Sequence, residues 1–185
     1  MELSLIFLIV HLFGVALGAG GAFASDMMFL YSVKDERISE AEIAFLKLGS
    51  KMVWLGLGLL VISGIGLFAL KPDFYLTSPK FLLKMTIVGI IILNGAFFHL
   101  LHIPRLMRHS GEHFPSSDEF TRKRPYLVAS GAISFVSWSS AIVLGALKKV
   151  PFSYIELFAV YMILLSGAVF VSLLMQDKIL PHHRQ

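Results

Sequence analysis

The sequence contains no cysteine. That absence excludes disulfides, thiolate zinc sites, iron–sulfur clusters, a cysteine nucleophile and covalently attached c-type haem. Charge is scarce too: charged residues are 15% of the 185, against roughly a quarter in a soluble domain. His-Glu-x-x-His, a phosphate-binding glycine loop and Gly-x-Ser-x-Gly are all missing, so three familiar hydrolytic chemistries lose their anchor. No internal repeat, low-complexity tract or second domain interrupts the chain.

What is present is apolar. Hydrophobic residues make up 56%, Phe alone contributes 16, and the mean hydropathy is +0.77. A transmembrane helix needs about 20 mostly apolar residues. Five stretches qualify, roughly 3–31, 48–70, 81–104, 126–147 and 152–175. The expected fold is therefore an all-α, integral membrane bundle of five transmembrane helices in one domain. The net charge of +4 and pI near 9.4 belong to basic residues beside the spans. There they set orientation, and nucleic acid is not expected as a partner.

Residues 1–25 have a small-x-small triplet, Ala22-Phe23-Ala24, that imitates a leader cleavage site. The n-region carries Glu2 and no Lys or Arg, so the segment reads as the first helix. Of the 16 Lys and Arg, 11 flank one side of the membrane: Lys34, Arg37, Lys47, Lys51, Arg105, Arg108, Arg122, Lys123, Arg124, Lys178 and Arg184. The other 5 are Lys71, Lys80, Lys84, Lys148 and Lys149. The richer side should be cytoplasmic, giving an N-terminus outside, a C-terminus inside and a place in the bacterial inner membrane. Segment 34–47 reads as a short interfacial helix capped by Ser39 with Glu42, either a docking surface or a solvated connector. The Arg122-Lys123-Arg124 run reads as a topology anchor touching anionic lipid.

Ionisable side chains inside spans are costly and are functional candidates by default. They are His11 in helix one, Lys84, His99 and His102 in helix three, and Glu156 in helix five, with Asp26 near the end of helix one. His11, Gly14, Gly18, Ala22 and Ser25 recur at helical spacing. Such a face permits close helix packing, with His11 as a hydrogen bonder, or leaves room for a flat macrocycle ligated by His11. On an ideal helix, Lys84, Gly95 and His102 fall on one line and His99 lies about 60° away. His99 and His102 are then a metal-chelating pair, or a haem ligand and a propionate partner, or, for His102, a headgroup contact. Lys84 is a snorkelling anchor, an ion-pair partner of Glu156, a propionate clamp, a proton donor or an axial amine. His11 and His99 differ in depth by about 16–20 Å, too far apart for the two axial positions of one haem. Asn94 reads as a helix–helix hydrogen bonder. The serine-rich flank of Ser130, Ser134, Ser137, Ser139 and Ser140 suits either helix packing or a quinone or porphyrin edge. Met27 and Met28 beside Asp26 are a soft-metal pair or gap fillers.

The run His11-Leu-Phe-Gly14-Val-Ala-Leu-Gly18-Ala-Gly20-Gly21 resembles the first helix of small bacterial membrane proteins of the HemJ and CopD type. Helix two, with Trp54-Leu-Gly56-Leu-Gly58 and Ser63-Gly64-Ile-Gly66-Leu67, and helix three, opening Lys80-Phe-Leu-Leu-Lys84, are similar. The resemblance covers roughly residues 5–105. It implies b-type haem, with His11 and Lys84 as the functional pair, and a protoporphyrinogen oxidase-like activity. This chain departs from the pattern in having Asn94-Gly95 where the family has His-Gly, a fifth helix, and the additional His99 and His102. The leading expectation is a b-type haem electron-transfer protein holding haem b at one or two sites. His11 and Lys84 would serve an outer site, His99 and His102 an inner one, and His11 and His99 would ligate the iron. Its partners would be the lipid bilayer, a quinone or redox protein, and a second copy of the chain. The alternatives are a copper or other metal permease or chaperone built on His99, His102, Asp26, Met27 and Met28, and a non-catalytic subunit of a larger complex.

Overall fold

The computed structural model describes residues 2–32, 39–102, 104, 118–148 and 150–179. Among them there is no strand. The elements are α1 (Glu2–Ser32), α2 (Glu40–Leu70), α3 (Pro72–Leu76), α4 (Pro79–Phe97), a π-helical turn (Phe98–His102), α5 (Asp118–Ala146) and α6 (Tyr154–Ile179). Five of them, α3 and the π turn aside, are the membrane-length helices. Glu2, the α2–α4 connection and the α5–α6 connection share one end of the bundle, here the near end. Ser32, Glu40, the π turn and Asp118 share the far end.

The capping box at Ser39 is present, but it opens α2 itself. The Ser39 amide and hydroxyl donate to Glu42 Oε2 at 2.7 and 2.8 Å, and the Glu42 amide donates back to Ser39 Oγ. The described part of the expected interfacial helix is therefore the first two turns of the second span. Its apolar residues Ile43 and Leu46 are buried, so one apolar face runs unbroken into the membrane. Residues 33–38 lie outside the described ones. Helix three is also divided differently. Ser78 caps α4 with Pro79 at its first position, a φ already suited to a helix. The π turn then changes the angular spacing, so the line drawn through Lys84, Gly95 and His102 at 100° per residue does not extend to its last residue. Helix five begins its regular structure at Tyr154, where Ser153 and Glu156 form a second capping pair: Ser153 N donates to Glu156 Oε2 at 2.8 Å.

The α1–α2 hairpin is the tightest contact in the fold. A Cβ on Gly56 would sit 2.6 Å from Gly18 Cα and 2.7 Å from the Gly14 carbonyl, so the two backbones touch. Gly21 faces Met52 and Gly49 across the same seam, and Ser25 Oγ fills the place a Gly49 side chain would take. Small residues let helices approach this closely where no hydrophobic effect drives them together. The helices α4, α5 and α6 form the other half, joined to the hairpin through a shared core of Ala19, Leu57, Leu83, Ile87, Trp138 and Tyr161. A smaller cluster of Phe29, Ile43, Leu46, Leu127 and Val128 closes the far end. In the most apolar window of α5, 33% of residues are buried, against 6% in α6, so α5 is central and α6 is peripheral. Large apolar residues cover the outside, as expected of a surface solvated by lipid.

Arg124 differs from the expected lipid anchor. It is 4% exposed and lies 3.8 Å from Asp177 of α6. Lys123 stacks over the Tyr126 ring. Between α5 and α6, Ser137 and Tyr161 share a buried hydrogen bond of 2.9 Å. A double-mutant cycle of Ser137→Ala and Tyr161→Phe should give a coupling of about 0.6 kcal/mol and no more than about 1.7 kcal/mol. Unfolding in mixed micelles measures it.

Candidate functional site

His11 sits on the α1 face that meets α2, half-buried near the near end. Its Nδ1 lies 2.9 Å from the hydroxyl of Ser63 on α2. Ser63 is fully buried and donates its only hydroxyl proton to the Leu59 carbonyl at 2.6 Å. In the tautomer that carries its proton on Nδ1, His11 donates to that oxygen and presents a lone pair on Nε2. That is the arrangement a metal-ligating histidine takes, one nitrogen held by a protein acceptor and the other free to coordinate.

Lys84 stands on α4 close enough for its charge to act on His11. It is half-buried, and a Cβ on Gly145 of α5 would touch its Nζ at 3.7 Å. Among the described residues Lys84 has no hydrogen-bond or ion-pair partner. The expected pairing with Glu156 does not form, because that carboxylate is exposed and caps its own helix through Ser153. Its neighbour Lys80 differs, donating to the Leu147 carbonyl at 2.6 Å. A partly desolvated, unpaired cation within a span favours an anionic partner.

The glycine face does not offer the space a macrocycle needs. Gly14 meets Gly56 and Leu60, Gly18 is covered by the ring of Trp138, and Gly21 by Met52. Packing, the plainer of the two readings, accounts for Gly14, Gly18, Ala22 and Ser25. A ligand of His11 would have to lie beside this face, toward Lys84 and Gly145, along the seam between the hairpin and α4–α5.

His99 lies in the π turn at the far end. It is exposed, with Nδ1 2.8 Å from Ser50 Oγ and its ring edge-on to Trp54. The His102 side chain lies outside the described ones. The two histidine–serine pairs use the same helix, and Ser50 and Ser63 are about 20 Å apart at the helical rise. The chain thus holds His11 and His99 in separate places. Among the described residues no three His, Asp or Glu side chains converge as a metal-binding set. Met27 is 74% exposed, so it turns away from the bundle and does not join Asp26.

Asp26 lines a cavity of about 60 Å³ between α1, α2, α4 and α5. Asn94 and Ser130 close one wall by a reciprocal pair, Nδ2 to the Ser130 carbonyl at 3.1 Å and Ser130 Oγ to Oδ1 at 3.0 Å. Neither Ser63 nor Ser50 stands out in the sequence as a partner of histidine. The one available signal is that both are hydroxyl residues on the second span, Ser63 within its most apolar stretch.

Set against known protein families, characterised proteins and solved structures, the chain matches none of them.

Proposed function

We propose that the chain is a membrane-embedded b-type haem protein for electron transfer, with one haem held at the near end by His11. The carrying observation is the His11–Ser63 pair. It suits the tautomer with its proton on Nδ1, which leaves Nε2 as a donor in a hydrocarbon environment. Lys84 supports the same reading, since an unpaired ammonium beside that donor suits a propionate. The donor set thus fits an iron porphyrin with an anionic arm. Haem would supply the one-electron couple. His11 would ligate, Ser63 would orient it, Lys84 would hold the carboxylate, and the surrounding apolar helices would exclude water, each of them a lever on potential.

A protoporphyrinogen oxidase-like activity, drawn from the resemblance, and a quinone or protein electron partner remain part of this proposal. The excess of Lys and Arg at the far end supports a cytoplasmic placement of that end. His99, held by Ser50 and exposed, is not needed for this single site.

Haem quantitation tests the reading. Protein purified from haem-supplemented cells should give a pyridine haemochrome corresponding to one haem per chain. Two haems would require His99 or His102 as a further ligand, and none would remove the proposal.

A further inference from the structure

We propose that the Asp26 cavity is a hydrated proton-exchange site that opens only toward the far end of the bundle. The cavity is lined by Ser25 and Asp26 of α1, Ser50 of α2, Asn94 of α4, and Ser130 and Ser134 of α5. Asp26 is bonded to Ser134, yet its Oδ2 and the neighbouring Ser25 Oγ are buried without a partner among the described residues. Two such orphan oxygens on the polar side of a cavity otherwise walled by Val53, Ile91, Phe98 and Trp138 call for water. A volume of about 60 Å³ holds about four to six waters at 10–15 Å³ each.

The charge around Asp26 leaves a proton as its natural counterpart. Among the described residues, its own helix, α2, α4 and α5 contribute no other titratable residue to the cavity wall, and α6 contributes none at all. Among the described residues, His99 reaches the cavity wall through its hydrogen bond to Ser50 and its ring contact with Trp54. A carboxylate within a span and without a cation is costly, so it binds a proton from the nearest water.

The route follows from Ser50, which lines the cavity and also bonds His99 Nδ1. His99 is exposed in the last turn of its span. In the tautomer of His99 with its proton on Nδ1, a proton accepted at Nε2 releases the one on Nδ1 to Ser50 Oγ. Ser50 passes its own proton to cavity water, and that water protonates Asp26. Return through the same chain restores the starting tautomer. In the other direction Trp138, 2% exposed, lines the cavity and lays its ring on Gly18, which blocks passage toward His11. The site is a dead end, and it stands whether or not haem binds at His11.

Infrared difference spectroscopy of the purified chain in lipid nanodiscs tests this. The wild type should show a protonated-carboxyl band that grows as pH falls, shifts on exchange into deuterated water, and is missing in Asp26→Asn. In Ser50→Ala the band should remain but exchange about tenfold more slowly, equivalent to about 1.4 kcal/mol on the barrier. If Asp26→Asn fails to fold, the Ser50→Ala exchange rate still decides, because it is read on the Asp26 band itself. A band that never exchanges, a band unchanged in Asp26→Asn, or equal rates in wild type and Ser50→Ala would each overturn the proposal. So would a band abolished by sodium or potassium at fixed pH, which would make the cavity an alkali-cation site.

Discussion

Gly56→Ala should separate α1 from α2 and cost about 3 kcal/mol or more, at the top of the range for overpacking. The atoms a new Cβ would meet are Gly18 Cα at 2.6 Å and the Gly14 carbonyl at 2.7 Å, both backbone. Backbone cannot change rotamer, so relief requires moving one helix against the other. That movement would also break the Ser63–His11 hydrogen bond, because both partners lie on this seam. Gly58→Ala is the control: nothing lies within 4 Å of its Cβ position. It should stay within about 0.5 kcal/mol of wild type. Steric-trapping or detergent-unfolding measurements on the two variants should differ widely, and equal stabilities would mean that the hairpin is not packed backbone to backbone.

The second large effect concerns the ligand site. His11→Ala should reduce bound haem to background, since among the described residues no other histidine stands at the near end. Ser63→Ala keeps the imidazole but frees its tautomer and orientation. Loss of such a supporting partner weakens metal binding about 10–100-fold. Lys84→Gln should weaken haem binding by a similar factor, as one hydrogen bond to a charged group contributes roughly 1.5–3 kcal/mol. His99→Ala should leave haem content unchanged. Hemin titrations of the four variants in nanodiscs separate these outcomes. A His11→Ala protein that binds as well as wild type would leave Ser63 and Lys84 without a role.

Much of the fold was legible because hydrocarbon imposes a simple rule. Every span had to be an apolar helix of sufficient length, and all five are present. The Ser39–Glu42 box was legible for a similar reason, being a local pattern with a local consequence. The identical spacing at Ser153 and Glu156 carried the same information, and the capping bond there explains why Glu156 does not pair with Lys84. What was not legible depends on how one helix is set against another. The glycines of α1 announced a close approach but not which element makes it, and α2 and Trp138 fill that face. Ser63 and Ser50 become partners of His11 and His99 only once the register of α1, α2 and the π turn is known. The π turn has no sequence signature of its own, so positions beyond Phe97 could not be assigned to a face from ideal geometry. The Asp26 cavity likewise draws its walls from four helices, and although Asp26, Ser25, Asn94, Ser130 and Ser134 each invited attention in the sequence, nothing there brought them together.

The most direct measurement is an optical spectrum of the chain in nanodiscs with hemin added, oxidised and then reduced, beside the same spectra of His11→Ala. Ligation by His11 predicts a sharp Soret band with narrow reduced α and β bands in the wild type and free-hemin absorbance in the variant. A wild type that leaves hemin free, or a variant with an unchanged spectrum, would contradict it.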